Sequence, residues 1–364
     1  MLNQLECFHA TVDHRAHQGF LFYAGFTPHL EKRIREEYGI GCGDIRDFFG
    51  MYNPVMPEML PPDGYEPPDF SVYFEEMHGA ENAFINPLGV LEIPGSMYHF
   101  TSYISPLRHV QRFVDIETFP YPGIRGFSSR NFAGEVNKAH ALGKVAGCWI
   151  GHMYEDSWQI RGYEQFLMDM IDRPEWCDYI LDRVKERNLE MARAAAHAEV
   201  DWIKTGDDVA NQKTMMFSPE LWRRFMKPRW AEVFSLARSI KPDMQIWYHS
   251  DGNIEAIIPE LIDIGVTILN PVQPECLDLK TVKREYGDRL VLDGTIGTQT
   301  TMPFGNPEEV SRVVRERARD LGYDGALILS PTHVLEPEVP LENIRAFVET
   351  AKTFAGEGAG GEGL

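Results

Sequence analysis

From about residue 138 the chain keeps repeating one pattern, a short apolar run followed by a longer stretch of helical period, which is the signature of βα units. The runs are KVAGCWIG (144–151), WIKTG (202–206), QIWYHS (245–250), VTILNP (266–271), RLVLDG (289–294) and ALILSP (326–331). FLFYAG at 20–25 adds an earlier strand, and VLEIPGSMYHF at 90–100 is a further candidate. Between the runs, Ile254, Ile257, Ile258, Leu261 and Ile262 form one apolar stripe at helical spacing. A helix over 307–321 is announced by Asn306 as N-cap, Pro307 in the first position and acids in the first turn. Parallel βα units in such number predict a (β/α)8 TIM barrel. The rival, a doubly wound sheet, is disfavoured because no GxGxxG follows any strand.

Domain organisation and partners follow from length and charge. A chain of 364 residues suits one barrel with insertions, and residues 1–355 are expected to form a single domain. Within it, 1–137 read as an irregular, Pro-rich N-terminal extension, with 53–70 as an extended connection, and 138–355 as the clear βα units. The Gly-rich end, 356–364, reads as a flexible tail. With 35 Lys and Arg against 55 Asp and Glu, the formal net charge of −20 repels phosphate backbones and anionic lipid heads, so neither nucleic acid nor membrane is expected as a partner. Five scattered cysteines without a CxxC pair indicate neither a disulfide framework nor a thiolate zinc knot. With no signal-peptide pattern and no long apolar run, a cytoplasmic location is expected.

In such barrels the active site is built at the C-terminal strand ends, and polar residues recur there. The run at 144–151 leads to His152 and Glu155, and that at 202–206 to Asp207, Asp208 and Gln212. His249 and Asp251 follow the next, then Asn270, Asp293 and His333 in turn. His249 and Asp251 stand two apart, so both leave one side of the chain, and with His333 they make a possible three-ligand site for a divalent ion. The other reading stays open at this stage: Asp251 begins a helix while His249 donates a hydrogen bond. Asp207 and Asp208 are adjacent and must point differently. One can accept hydrogen bonds from a substrate while the other caps the following turn.

Four stretches carry a family resemblance: GYEQFLMDMIDRPEWCDYIL, GDDVANQKTMMFSPELWRRFMKPRW, YHSDGNIEAIIPELIDIGVTILNPVQPE and ILSPTHVLEPEVPLENI. In this order they resemble the uroporphyrinogen decarboxylase superfamily, which also holds cobalamin-dependent methyltransferases of the methylcobalamin:coenzyme M type. The resemblance covers roughly residues 140 to 355 and implies a (β/α)8 barrel. The decarboxylases' N-terminal MRQAGRYLPEY-like segment has no match here. Against the methyltransferases' HxCG motif, His249 matches the histidine, Asp251 stands where the first cysteine would be, and His333 takes the place of the second.

The resemblance therefore implies a metal-assisted methyltransferase acting on a small molecule, with a corrinoid such as methylcobalamin as substrate or as methyl carrier on a partner protein. His249, Asp251 and His333 are the expected ligands, zinc the first choice of metal, with manganese or iron also compatible with the harder donors. Asp207, Asp251 and His333 are the expected catalytic groups, and His152, Asp208, Gln212, Asn270 and Asp293 the expected substrate contacts. Decarboxylation of uroporphyrinogen or another polycarboxylate is the alternative, and a non-catalytic tetrapyrrole- or corrinoid-binding barrel a second. A homodimer is expected by resemblance alone.

Overall fold

The structure, a computed structural model, describes residues 2–17, 19–74, 82–95 and 101–354. The expected tail lies outside them, as does part of the strand candidate at 90–100. Three short strands, β1 (Phe84–Ile85), β2 (Leu91–Ile93) and β3 (Ser102–Ile104), make a small antiparallel sheet. Six further strands pair in parallel and in chain order: β4 (Gly147–Trp149), β5 (Trp202–Gly206), β6 (Gln245–His249), β7 (Ile268–Asn270), β8 (Val291–Asp293) and β9 (Leu327–Ile328). Each falls inside one of the apolar runs.

The ladder of β4 to β9 has two free ends, and two extended segments join them. Tyr23 N–H donates to Leu329 O at 3.1 Å and Leu329 N–H to Leu21 O at 2.9 Å. Tyr52 N–H donates to Phe22 O at 2.7 Å, while Val55 N–H reaches Val145 O at 2.8 Å and Gly147 N–H reaches Val55 O at 2.9 Å. Residues 21–23 and 52–55 thus occupy the first two positions of a (β/α)8 barrel. The irregular N-terminal part thus supplies two of the barrel's positions. The segment at 53–57 is interrupted by Pro54 and Pro57, which have no N–H to donate, so it bonds through single bridges where a regular strand would form a ladder.

Alternation along the strands divides the core in two. Ile203, Ile246, Tyr248, Leu269, Leu292 and Leu327 face outward and pack beneath the helices. Leu21, Tyr52, Trp202, Trp247, Ile268, Val291 and Ile328 face inward and fill the lower barrel. Phe8, fully buried on the helix Gln4–Val12, packs with this inner set. The helix Pro307–Leu321 has the expected Asn306 cap, with Glu309 completing a capping box. Among the described residues no helix is long and apolar enough to cross a membrane.

One ion pair on the barrel's flank makes a stability prediction. Lys283 Nζ donates to both Asp324 oxygens at 2.7 and 2.8 Å. Burial alone would raise the Asp324 carboxyl, but hydrogen bonds from His14, Lys283 and the Ala326 N–H hold it below the usual carboxylate range. A depressed folded-state pKa contributes stability above the unfolded value and loses it as pH falls. Asp324→Asn should therefore cost about 2 kcal/mol at pH 7, with the deficit shrinking below about pH 4 as Asp324 of the unfolded wild-type chain protonates. Urea melts at pH 7 and pH 3 check this, and a deficit equal at both would refute it.

Candidate functional site

The polar residues at the ends of β4 to β9 meet at one mouth of the barrel. Asp207 and Asp208 follow β5 and take opposite directions. Asp207 is fully buried. Its Oδ1 accepts from the N–H groups of Met153, Tyr154 and Glu155 at 2.9, 2.7 and 3.2 Å, and its Oδ2 from Trp230 Nε1 at 3.0 Å. It caps the helix Tyr154–Arg161 from the end of the neighbouring strand β5. Burial pushes this carboxyl up to about 7, against the pull of His152 and the backbone donors. With four donors committed to it and no exposed surface, Asp207 holds the loops together and is not placed to touch a substrate. Asp208 is the one that faces the mouth.

Asp208 Oδ1 accepts from Asp251 N–H at 2.8 Å and lies 3.7 Å from His249 Nε2, while Asp251 Oδ1 lies 3.9 Å from the same nitrogen. One ligand-capable atom from each of Asp208, His249 and Asp251 falls within 4.8 Å of the others. Asp251 Oδ1 is shielded from solvent and has no hydrogen-bond donor among the described residues. Burial raises both carboxyls, Asp251 to about 6. Gly252 makes the packing possible: its φ is +87°, and a Cβ there would lie 2.6 Å from Asn211 O.

The chain also decides which nitrogen of His249 faces these acids. Asp293 is fully buried and accepts from Tyr23 Oη at 2.8 Å, Ser330 Oγ at 2.6 Å and Asn270 Nδ2 at 2.7 Å. That turns Asn270 Oδ1 toward His249 Nδ1, 2.7 Å away. A carbonyl oxygen only accepts, so Nδ1 carries the hydrogen and Nε2 presents its lone pair to Asp208 and Asp251. Two carboxylates, one imidazole with a fixed tautomer and an orphaned buried oxygen form a donor set that fits a divalent cation. Asn270 and Asp293, expected to contact substrate, are instead enclosed and act through His249. Asn270→Ala should weaken metal binding about 10- to 100-fold, as loss of such an orienting partner typically does. Calorimetric zinc titration reads this, and unchanged affinity would contradict the tautomer argument.

The remaining expected residues sort by distance. His333 shares the mouth, its ring centroid 6.4 Å from that of His249, but the converging trio contains Asp208 where His333 was expected. Gln212 is exposed at the rim and donates to Gln299 Oε1 at 2.6 Å. His152 Nδ1 lies 2.8 Å from Glu155 Oε2 and 2.5 Å from Gly206 O. Burial opposes charge on His152, yet Glu155 outweighs it and pushes the imidazole up to about 10. His152, Glu155 and Asp207 also cluster closely, but Asp207 is already saturated by its four donors. Lys204 and Trp149, both inward-facing, were not anticipated. A lysine in the middle of the short run WIKTG, at the same parity as the inward Trp202, was the available signal.

Beside the trio lies a cavity of about 350 Å³ lined by Asp208, Asp251, Gln273, Thr298, Thr332, His333, Glu336 and Glu338, among others, with no lysine or arginine among the described residues of its lining. The fold is a (β/α)8 barrel with its polar groups gathered at the C-terminal strand ends. The model of the family Uroporphyrinogen decarboxylase (URO-D) matches residues 150–354, and the chain belongs to that family. It is 28% identical over 185 residues to the methylcobamide:CoM methyltransferase MtaA of Methanosarcina barkeri, covering 51% of each chain. It is 27% identical over 78 residues to uroporphyrinogen decarboxylases of Coxiella burnetii, 21% of each chain. The chain thus spans about half the length, or less, of these curated relatives. A methyltransferase from Methanosarcina mazei has the same fold across 97% of this chain and 99% of its own, with a TM-score of 0.65 at 17% identity.

Proposed function

We propose that this protein is a metal-assisted methyltransferase that moves a methyl group between a corrinoid carrier, held on a partner protein, and a small acceptor. The observation that carries the reading is the convergence of Asp208, Asp251 and the Nε2 lone pair of His249 at the barrel mouth. The similarity to MtaA supports the methyl-transfer class. A divalent cation held there would lower the pKa of a bound thiol, alcohol or water and so provide a nucleophile at neutral pH. Around it, Asn270 fixes the imidazole, Asp207 braces the loop that carries Asp208, and His333 stands in the same mouth, its ring centroid 6.4 Å from that of His249. Zinc is the first choice, and manganese or iron suits the same oxygen-rich set.

The decarboxylase reading requires a cationic grip on several carboxylates. The cavity has the opposite character, with Asp208, Asp251, Glu336 and Glu338 in its wall. Such a surface repels a polycarboxylate. The test is methylcobalamin consumption by the zinc-loaded protein with a panel of thiols, followed by absorbance. Turnover that chelation abolishes and added zinc restores is expected. Absence of methyl transfer together with carbon dioxide release from uroporphyrinogen would overturn the proposal.

A further inference from the structure

The chain ahead of the helix Phe132–Ala141 packs against the long helix Pro174–His197. Tyr179 Oη on that helix donates to Glu117 O at 3.4 Å, and its ring meets those of Phe113 and Tyr121 edge to face, with centroids 5.6 and 6.1 Å apart. Two cavities, of about 700 and 550 Å³, adjoin here, and both have Pro122, Gly123 and Arg187 in their walls. They have no described lining residue in common with the cavity beside Asp208 and Asp251. The larger is lined by Arg125, Arg183, Arg187 and Arg193 against Glu117, Glu186 and Glu190, one positive charge in excess on a chain whose net charge is −20. Glu186 is paired with Arg183, whereas Arg125 and Arg193 make no hydrogen bond or ion pair among the described residues. Arg187 reaches only Asp156 Oδ2, at 3.4 Å. Asp156 is a poor partner, because burial pushes its carboxyl up to about 6 against the pull of His152 and Arg187. The smaller cavity is walled mainly by Tyr65, Pro67, Phe70, Ile85 and Phe127. Its polar side chains are spent locally: Asp69 accepts from Ser71 N–H at 2.9 Å, and Asn86 donates to Glu92 Oε1 at 2.7 Å while accepting from the Leu88 and Val90 N–H groups.

We infer that the two cavities form one binding site, separate from the barrel mouth, for an amphipathic monoanion such as a medium-chain carboxylic acid. The apolar body lies among the prolines and rings of the smaller cavity, where burial of its methylenes drives binding. The carboxylate sits at the junction on Arg187, the only cation lining both cavities among the described residues. A guanidinium fork meets a carboxylate bidentately, a better contact than the 3.4 Å one to Asp156. Arg125 and Arg193 add attraction from the rim, and the three glutamates select against a second negative charge. Because the site lies between the helix Pro174–His197 and the segment packed on it, an occupant ties the two together and raises the melting temperature. None of this depends on a metal or a substrate at the mouth.

The probes are octanoate, the isosteric octanamide and acetate, titrated by calorimetry and by thermal melts. The wild type is expected to bind octanoate about tenfold more tightly than octanamide, and acetate not measurably. Arg187→Gln should erase the preference for the acid. Arg125→Gln with Arg193→Gln, which removes two side chains without partners, should reduce that preference about threefold with the melting temperature of the free protein unchanged. Tyr65→Ser should weaken acid and amide alike and so keep their ratio. His249→Ala should leave both affinities intact, which separates this site from the mouth and this inference from failure of the metal reading. Independently of any variant, octanoate carrying a terminal diazirine should label wild-type peptides from 61–71, 85–87 or 122–127, read by mass spectrometry. Equal affinity for acid and amide, a preference that survives Arg187→Gln, or labelling confined to the strand-end loops of the mouth would overturn the assignment.

Discussion

His249→Ala is expected to remove bound metal to below a tenth of an equivalent and to reduce methyl transfer by at least 100-fold, while the barrel stays folded. The imidazole is 18% exposed at the mouth, and its loss leaves the lower barrel, filled by Trp202, Trp247, Ile268 and Val291, untouched. Two carboxylates would remain, Asp208 and Asp251, crowded together and partly desolvated. Without the imidazole they lack the one nitrogen ligand of the trio, while burial still holds both carboxyls above their usual range. Asp251→Ala should abolish metal binding comparably, because it removes a solvent-shielded oxygen that has no hydrogen-bond donor among the described residues. Asp251→Asn is the informative intermediate. It keeps the shape but halves the negative charge, and should bind metal more weakly without losing it. Metal content by emission spectroscopy, beside circular dichroism, checks all three. Full metal retention in His249→Ala would mean that the ion, if any, sits elsewhere.

Asp207→Ala is expected to damage stability and the site together. Four donors converge on this carboxylate: three helix N–H groups and the Trp230 indole. None can find water in its place, because Asp207 and Trp230 are both fully buried. Leaving several buried donors unpaired costs about 3–5 kcal/mol, on the order of 10 °C in melting temperature. The helix Tyr154–Arg161 then loses the cap that ties it to β5, so His152 and Asp208 shift relative to each other and metal affinity falls although no ligand has been changed. Asp207→Asn should be far milder. Its single carbonyl can serve the three N–H groups that Oδ1 serves now, and the remaining cost is its NH2 facing the Trp230 N–H, donor against donor. Trp230→Phe, which keeps the stack on Phe234 at 5.5 Å, should cost about 1 kcal/mol in the wild type and much less in Asp207→Asn. Thermal melts of the four variants measure the coupling. Additive losses would show that the indole–carboxylate bond is not the link.

The barrel was legible wherever its strands are continuous apolar runs, because burial on both faces leaves no room for other residue types. It was not legible at 52–55, where two prolines break the pairing that defines a strand and only single bridges close the ring. The strand-end positions of His249 and Asp251 could be read from spacing, since side chains two apart leave one side of the chain. Depth could not. Asp207 and Asp208 look alike in sequence, and their division of roles depends on Trp230, which reaches Asp207 from another helix. Asn270 and Asp293 stand at strand ends as a substrate contact would, yet their hydrogen bonds point inward to Tyr23, Ser330 and His249. Lys204 was passed over as part of a strand, because one residue of a five-residue run declares its face only once the register with β4 and β6 is known.

Zinc K-edge X-ray absorption of the stoichiometrically loaded protein tests the metal site most directly. A first shell made only of nitrogen and oxygen at about 2.0–2.1 Å, with imidazole scattering that disappears in His249→Ala, is the expected result. A sulfur shell near about 2.3 Å would transfer the site to a cysteine such as Cys276. That result, or failure to load at all, would contradict the Asp208, His249 and Asp251 site.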